Sequence, residues 1–560
     1  MSMSDELVIY LPGGQVESPT NPYGRLVANA GTYRALARDG GYRSLHFQCL
    51  TQPDSEQLTH ELRLDDATVQ VSVGSPLSTA AAVRSGILLS GQPYLSEPAW
   101  VRRHAGRDGD YSIIGTIFAY ASATHREQMM HSALAPLHEW DAMICSSPTL
   151  RDTVEGAFDH WENYLQERLG VATLPRPQLP VIPFGTNVAE IEVQSNDADA
   201  RARLRASLDI AEDDVMVYFL GRLSYYDKAF PQAMFKSVEA AQRQSGVTTH
   251  FVLTGWFPDP ERDRPLFEAA ARTYAPSVRV MFLDGNDSQV VAQCWAAADI
   301  FLLLSDTILE TFGQALTEAM AAGLPLVVSD WDGYRSIVRD EVDGFLIPTL
   351  GGPGGVLGET LALAQLLDLV DYSQYGGAVA QHTAVNVASA AAALSRLISS
   401  PELRAAMGAA ARQRARGLYA WPVVVAQYTE LFADLAERRA GAEPVVSSHR
   451  MNPLRNDPFV DFRPLPTRVL TDDLSLRLAA GANGGSDLLL PNPLVELDAM
   501  FPGLRGNESE VAEVIALLGK AGTLSVGEIV QSFPQSRRAF VRMTVMWLAK
   551  AGVVEWLAES

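Results

Sequence analysis

Cysteine is scarce. The chain has 3, Cys49, Cys145 and Cys294, and their spacing forms neither a Cys-x-x-Cys pair nor any other metal-ligand pattern, which excludes a disulfide framework and a zinc ribbon. Long uncharged apolar runs are also missing, and none reaches the ~18 residues that a membrane-spanning helix needs. The opening MSMSDELVIYLPGG lacks a basic region ahead of its short apolar run, so it reads as a first strand rather than a signal peptide. Positive charge is in deficit, 44 Lys+Arg against 66 Asp+Glu for a formal net charge of −22. That balance argues against a general nucleic-acid binder and against a polybasic anchor on anionic lipid. We place the chain in a reducing, cytoplasmic setting, with a peripheral membrane contact left open. What is present is ordinary globular material: 560 residues, 47% hydrophobic and 20% charged, enough for two large domains and an appendage.

Short apolar runs alternate with amphipathic stretches, the pattern of parallel sheets covered by helices on both faces. The first series has strand candidates at 7–12, 45–50, 68–73, 111–118, 141–147 and 179–184, with a helix over 148–169, and defines a Rossmann-like domain at 1–190. A polar stretch, 193–199, leads to a second series at 215–220, 250–254, 278–283, 300–304, 326–329 and 345–347, a second Rossmann-like domain over 200–418. The run GGPGG after Leu350 has no strand-turn-helix context and no acidic residue at the offset of a dinucleotide fingerprint, which speaks against NAD. Residues 441–486, rich in proline and ending in the low-complexity GANGG, read as a linker. Beyond it, 487–560 reads as a small helical, winged-helix-like module carrying 6 Lys+Arg against 9 Asp+Glu, which favours a protein contact or self-association over DNA.

The most informative segment is Glu310-Thr311-Phe312-Gly313-Gln314-Ala315-Leu316-Thr317-Glu318, which follows the strand IFLLLSD and opens a helix. Eight residues at ~1.5 Å rise put the two carboxylates roughly 12 Å apart. Between them the N–H groups of Phe312, Gly313 and Gln314 form a helix N-terminus that favours an anionic diphosphate. A nucleotide sugar has the matching order: sugar hydroxyls for Glu310, diphosphate for the amides, ribose hydroxyls for Glu318. Each glutamate alone also suits a plain helical surface position; the pair gains meaning from standing at the end of a parallel strand. The strand at 215–220 runs into Gly221-Arg222-Leu223-Ser224-Tyr225-Tyr226-Asp227-Lys228, placing two phosphate-binding cations past a second strand end. Gly14 after the first strand, Gly255-Trp256 and Asp284-Gly285 stand at further strand ends as diphosphate and nucleobase candidates. Asp330-Trp331-Asp332 has the form of a D-x-D metal motif, but with two cations and helix amides at hand we expect no required metal.

The E-x7-E element, G-R-L followed by Lys228, the segments ADIFLLLSD and AAGLPLVVSD, and the helix AWPVVVAQYTELF together resemble the retaining nucleotide-sugar glycosyltransferases of two-Rossmann, GT-B architecture (group 1, family 4-like). The resemblance covers about 5–440. It implies an α/β fold of two Rossmann-like domains facing a cleft, with the helix 420–437 returning to the first domain. It also implies metal-independent transfer of a hexose from a nucleoside diphosphate sugar, UDP or GDP, to a hydroxyl acceptor, with no cofactor. The catalytic roles fall on Arg222, Lys228 and Glu310, and donor binding on Gly14, Gly221, Gly255, Asp284, Thr311, Phe312, Gly313, Gln314 and Glu318. Two features depart from the family pattern. Lys228 stands one residue farther from Arg222 than usual. Phe118 occupies the place where many relatives carry a histidine, leaving Phe118 and His125 as the acceptor-side candidates. That departure keeps a second reading open, a sugar-nucleotide-binding scaffold without turnover.

Overall fold

The computed structural model describes residues 4–16, 24–51, 53–65, 67–480 and 503–557. They form two units, Met1–Met451 and Asn452–Ser560. The first unit holds two six-stranded sheets. One contains β1 (Glu6–Tyr10), β2 (Ser44–Gln48), β3 (Gln70–Gly74), β4 (Ile87–Ser90), β5 (Ser112–Ile117) and β6 (Ala142–Cys145) in the order β3-β2-β1-β4-β5-β6. The other contains β7 (Val215–Leu220), β8 (Thr249–Gly255), β9 (Arg279–Asp284), β10 (Ile300–Leu303), β11 (Leu326–Ser329) and β12 (Gly344–Ile347) in the order β12-β11-β10-β7-β8-β9. Every pairing in both sheets is parallel. The strands are near-continuous apolar runs because helices cover both faces, leaving residues such as Ile113, Ile114, Val217 and Tyr218 with no exposed surface. This is the two-Rossmann, GT-B architecture expected from the sequence.

Three details differ from that expectation. The short run ILLS forms β4, a central strand of the first sheet; at four residues it is too brief to stand out by length. The candidate at 179–184 is no strand of the sheet: only the isolated bridges Ala142↔Gln178 and Cys145↔Val181 join that region to β6. The polar stretch at 193–199 falls on two helices, Val188–Ser195 and Ala198–Ser207, because Asp197 caps the second through the N–H of Ala200.

The helix Trp421–Gly441 completes the first half. Its Val424, Val425, Tyr428, Leu431, Phe432 and Leu435 are buried in the same cluster as Leu7, Ile9, Leu45 and Phe47. The chain passes between the halves at 184–188 and again at 418–421, where the Thr186 N–H donates to the Tyr419 carbonyl at 2.7 Å. The first half also contains a fully buried ion pair. Arg102 donates to both carboxylate oxygens of Asp141, at 2.7 and 2.6 Å, and neither side chain is exposed. The same carboxylate accepts the Ile113 N–H at 2.8 Å and the His138 N–H at 2.9 Å, so it ties the entry of β5 to that of β6.

In the second unit, helices Glu508–Ala521, Val526–Gln531 and Arg538–Lys550 pack on a three-stranded antiparallel sheet. Its central strand, Ser475–Leu478, comes from the stretch read above as linker and pairs with Thr523–Ser525 and Val554–Trp556. The GANGG run lies outside the described residues. No helix among the described residues is long and apolar enough to cross a membrane.

Candidate functional site

β7 and β10 lie side by side, with Ile300 paired to Val217, and the sheet runs away from them in both directions. Loops leaving the carboxyl ends of two such strands diverge and open a crevice, the usual ligand position in open α/β sheets. This topology brings together residues far apart in sequence. The ammonium of Lys228, on the loop after β7, donates to the carboxylate of Glu310, on the loop after β10, and the pair is mostly buried, 17% and 14% exposed. The Tyr334 hydroxyl donates to the same Glu310 oxygen at 3.2 Å. Burial alone would push the Glu310 carboxyl up, but the charge and hydrogen bond of Lys228, helped by Tyr334 and Arg222, hold it below the usual range.

Arg222 donates to Asp227 at 2.9 Å and lies over the Trp256 ring, 5.9 Å from its centroid. Beside it the ends of β7, β8 and β9 close up backbone to backbone: Gly221 donates to Thr254 at 3.1 Å and Gly285 to Gly255 at 3.0 Å. A Cβ on Gly255 would stand 1.9 Å from the Gly221 carbonyl oxygen, so only glycine fits there. Asp284 is exposed and accepts the Asn286 N–H at 2.9 Å.

The helix that carries Glu318 spans Gln314–Ala322. Glu310 therefore precedes the helix rather than starting it, and Gly313 is the N-cap, at φ 97°. No hydrogen bond from the N–H of Phe312, Gly313 or Gln314 occurs among the described residues. A Cβ at Gly313 would lie 2.3 Å from the Tyr334 ring, in a conformation costing other residues about 1–3 kcal/mol. Gly313→Ala is thus expected to lower the melting temperature, because the added Cβ displaces the Tyr334 ring. Glu318 is half-buried, has no hydrogen-bond or ion-pair partner among the described residues, and is pushed up to about 7 by burial.

The first half meets this group at the helix entry. The Thr311 hydroxyl donates to the Phe118 carbonyl at 2.9 Å, and the Ser146 hydroxyl to the Thr311 carbonyl at 3.4 Å. The Phe118 ring stacks on Phe184 at 4.9 Å, and Phe184 meets Phe312 edge-on at 5.3 Å. Phe118 is thereby part of the packing between the halves. His125 lies on the helix Ala123–His131, its ring 5.5 Å from that of Tyr94. Gly14 sits in a turn, bonded to Leu11, and no hydrogen bond joins it to the Lys228–Glu310 group among the described residues.

Two further residues complete the site: Tyr334, which no spacing marks, and Asp332, which the sequence offers only as half of a D-x-D pattern. Tyr334 is buried and bonded to Glu310. Asp332, at φ 43°, has a buried Oδ1 without a hydrogen-bond partner among the described residues and is pushed up to about 7 by burial and then by the charge of Glu310. Asp330, its partner in the D-x-D pattern, is instead paired with Arg335 at 3.0 Å.

Residues 200–350 match the model of the family Glycosyl transferases group 1. Among curated proteins, the D-inositol 3-phosphate glycosyltransferase of Nocardia farcinica is 29% identical over 174 residues, 31% of this chain and 37% of that protein. A glycosyltransferase of Methanocaldococcus jannaschii, itself uncharacterized, is 26% identical over 186 residues, 32% of this chain and 44% of that protein. The chain thus spans less than half the length of these curated relatives. A solved Anabaena protein, HepE in complex with UDP, aligns with 76% of this chain and 99% of its own at 15% identity and a TM-score of 0.49.

Proposed function

We propose that the chain is a retaining glycosyltransferase that moves a hexose from a nucleoside diphosphate sugar, UDP or GDP, to a hydroxyl acceptor without a metal. The observation that carries this reading is the meeting of Lys228, Arg222 and Glu310 at the carboxyl ends of β7 and β10, beside the glycine-capped helix that bears Glu318. As the glycosidic bond breaks, negative charge grows on the departing diphosphate. Lys228, Arg222 and the amides at 312–314 are the groups that receive it. Both cations are held by carboxylates, Lys228 by Glu310 and Arg222 by Asp227. A bound diphosphate takes over the cations, and Glu310 is then released to accept hydrogen bonds from the sugar. Glu310 orients the hexose and does not attack it; the acceptor enters on the face the leaving group vacates, with the donor phosphate helping to take its proton.

Glu318 accepts the two ribose hydroxyls in this scheme, which links binding to pH. Its carboxyl is neutral below about 7 and becomes an ionised acceptor above it. If only the ionised form grips the ribose, affinity rises about tenfold from pH 6 to 8. Calorimetry with UDP, GDP, ADP, CDP and dTDP across that range is expected to single out one nucleotide with this profile, and Glu318→Gln to flatten it. Failure of all five to bind would sink the assignment.

One rival, the scaffold without turnover, draws on Phe118: the side chain that the first half packs toward Phe312 through Phe184 can neither give nor take a proton. Release of free sugar from the preferred donor distinguishes the two: slow hydrolysis marks an enzyme, and tight binding without hydrolysis or transfer marks a scaffold.

A further inference from the structure

Between β12 and the helix Val387–Ser399 the chain makes an excursion that leaves at Thr349–Leu350 and returns at Ala384–Val385, where the two segments pair antiparallel. Its helix Tyr372–Ala380 approaches the loop after β7 so closely that a Cβ on Gly377 would lie 3.2 Å from the Tyr226 Cβ. Under it lies a cavity of about 910 Å³, within the ~300–1,000 Å³ usual for ligand sites. Its lining includes none of Arg222, Lys228, Glu310 and Glu318.

The chemistry of the lining is selective. Tyr225 and Phe230 present aromatic surface, 37% and 43% exposed, and the Tyr226 ring stands edge-on to Tyr225 at 5.0 Å. Between these faces are short planar polar groups. Asp306 is 6% exposed and accepts backbone N–H groups, those of Phe230 and its own residue. Among the described residues, the Oε1 of Gln232 is buried without a hydrogen-bond partner. Gln374 uses its Oε1 to cap its own helix and keeps its amide hydrogens for other partners. The cations on the rim are engaged elsewhere, Lys236 over the Tyr274 ring at 5.0 Å and Arg262 with Asp263 at 2.8 Å. Flat aromatic faces beside a carboxyl and carboxamides suit a ring with an apolar C–H face and vicinal hydroxyls on its edge.

We propose that this cavity is a saccharide-binding site, and that it holds the glycan chain of the acceptor. The second half of that statement rests on the transferase reading above; the first does not. Asp306 stands four residues before Glu310, and the Ser305 hydroxyl donates to the Lys228 carbonyl at 3.0 Å, so the cavity adjoins the donor site through one short loop.

The test uses the full chain on a glycan microarray, as wild type, Tyr225→Ala and Asp306→Asn, with nucleotide affinity measured in parallel. The expected result is binding to a defined glycan class that falls about tenfold in both variants while nucleotide affinity stays within about twofold. Tyr225 is a surface residue, so its variant controls for misfolding of the other. Absence of any glycan binding, or glycan binding that both variants retain, overturns the proposal. A parallel loss of nucleotide affinity also overturns it, by placing the nucleotide in the cavity. If no nucleotide binds while the glycan signal still depends on Tyr225 and Asp306, the saccharide site stands and the transferase reading falls.

Discussion

Lys228→Ala is expected to lower donor hydrolysis or transfer by about 10²–10³-fold, the usual cost of removing one preorganised donor to a developing oxyanion. The effect has two sources. The diphosphate loses a cation when its charge is growing, and the mostly buried Glu310 loses the charge that keeps it ionised. Its carboxyl then moves up, as burial alone dictates, and hydrogen-bonds the sugar less well. Because the two side chains share one interaction, Lys228→Ala and Glu310→Gln combined should cost clearly less than the product of the single effects. Lys228→Arg keeps the charge but not the compact ammonium, so partial recovery is expected. Steady-state kinetics with the preferred donor provides the check; turnover within about threefold of wild type in Lys228→Ala would remove the cation from the mechanism.

The second large effect is on stability. Arg102→Ala is expected to cost about 3–5 kcal/mol, because it leaves the Asp141 carboxylate buried and unpaired. The backbone bonds from Ile113 and His138 remain, but they do not neutralise the charge. Replacing both partners with apolar residues, Arg102→Met with Asp141→Leu, removes the unpaired charge but leaves the N–H groups of Ile113 and His138 without their acceptor, so only part of that loss should return. Urea unfolding followed by a probe in the first half measures both; a single variant within 1 kcal/mol of wild type would mean that water reaches the carboxylate.

Both predictions depend on features of unequal visibility in the sequence. Glu310, Glu318, Arg222 and Lys228 could be singled out because strand ends and helix starts leave local patterns, and parallel topology then forces such ends to one edge of a sheet. The Lys228–Glu310 pair could not, since it depends on β7 and β10 being neighbours, which no local pattern states. Tyr334 was hidden for a similar reason, and Asp332 stands out only as half of a D-x-D pattern: their roles come from a tight turn at 330–334 that folds back on Glu310. β4 was missed for its brevity, and Ser475–Leu478 because its pairing partners lie some 50 and 80 residues further on. The excursion at 349–385 is visible in the sequence only as a glycine-rich loop, yet it helps to line a cavity of about 910 Å³.

The helix Trp421–Gly441 has a consequence for synthesis. A nascent chain folds from its N-terminus as it emerges from the ribosome. Here the first sheet is finished once Cys145 has appeared, yet one face lacks Val424, Val425, Tyr428, Phe432 and Leu435 until nearly three hundred more residues have followed. Over that interval the face of β1 and β2, covered in part by the helices Gly24–Asp39 and Ser55–Glu61, keeps apolar surface open, while the second half can complete its own sheet. Chaperone demand should therefore centre on the first half, and a transcript truncated before Trp421 should yield a soluble second half attached to an aggregating first one.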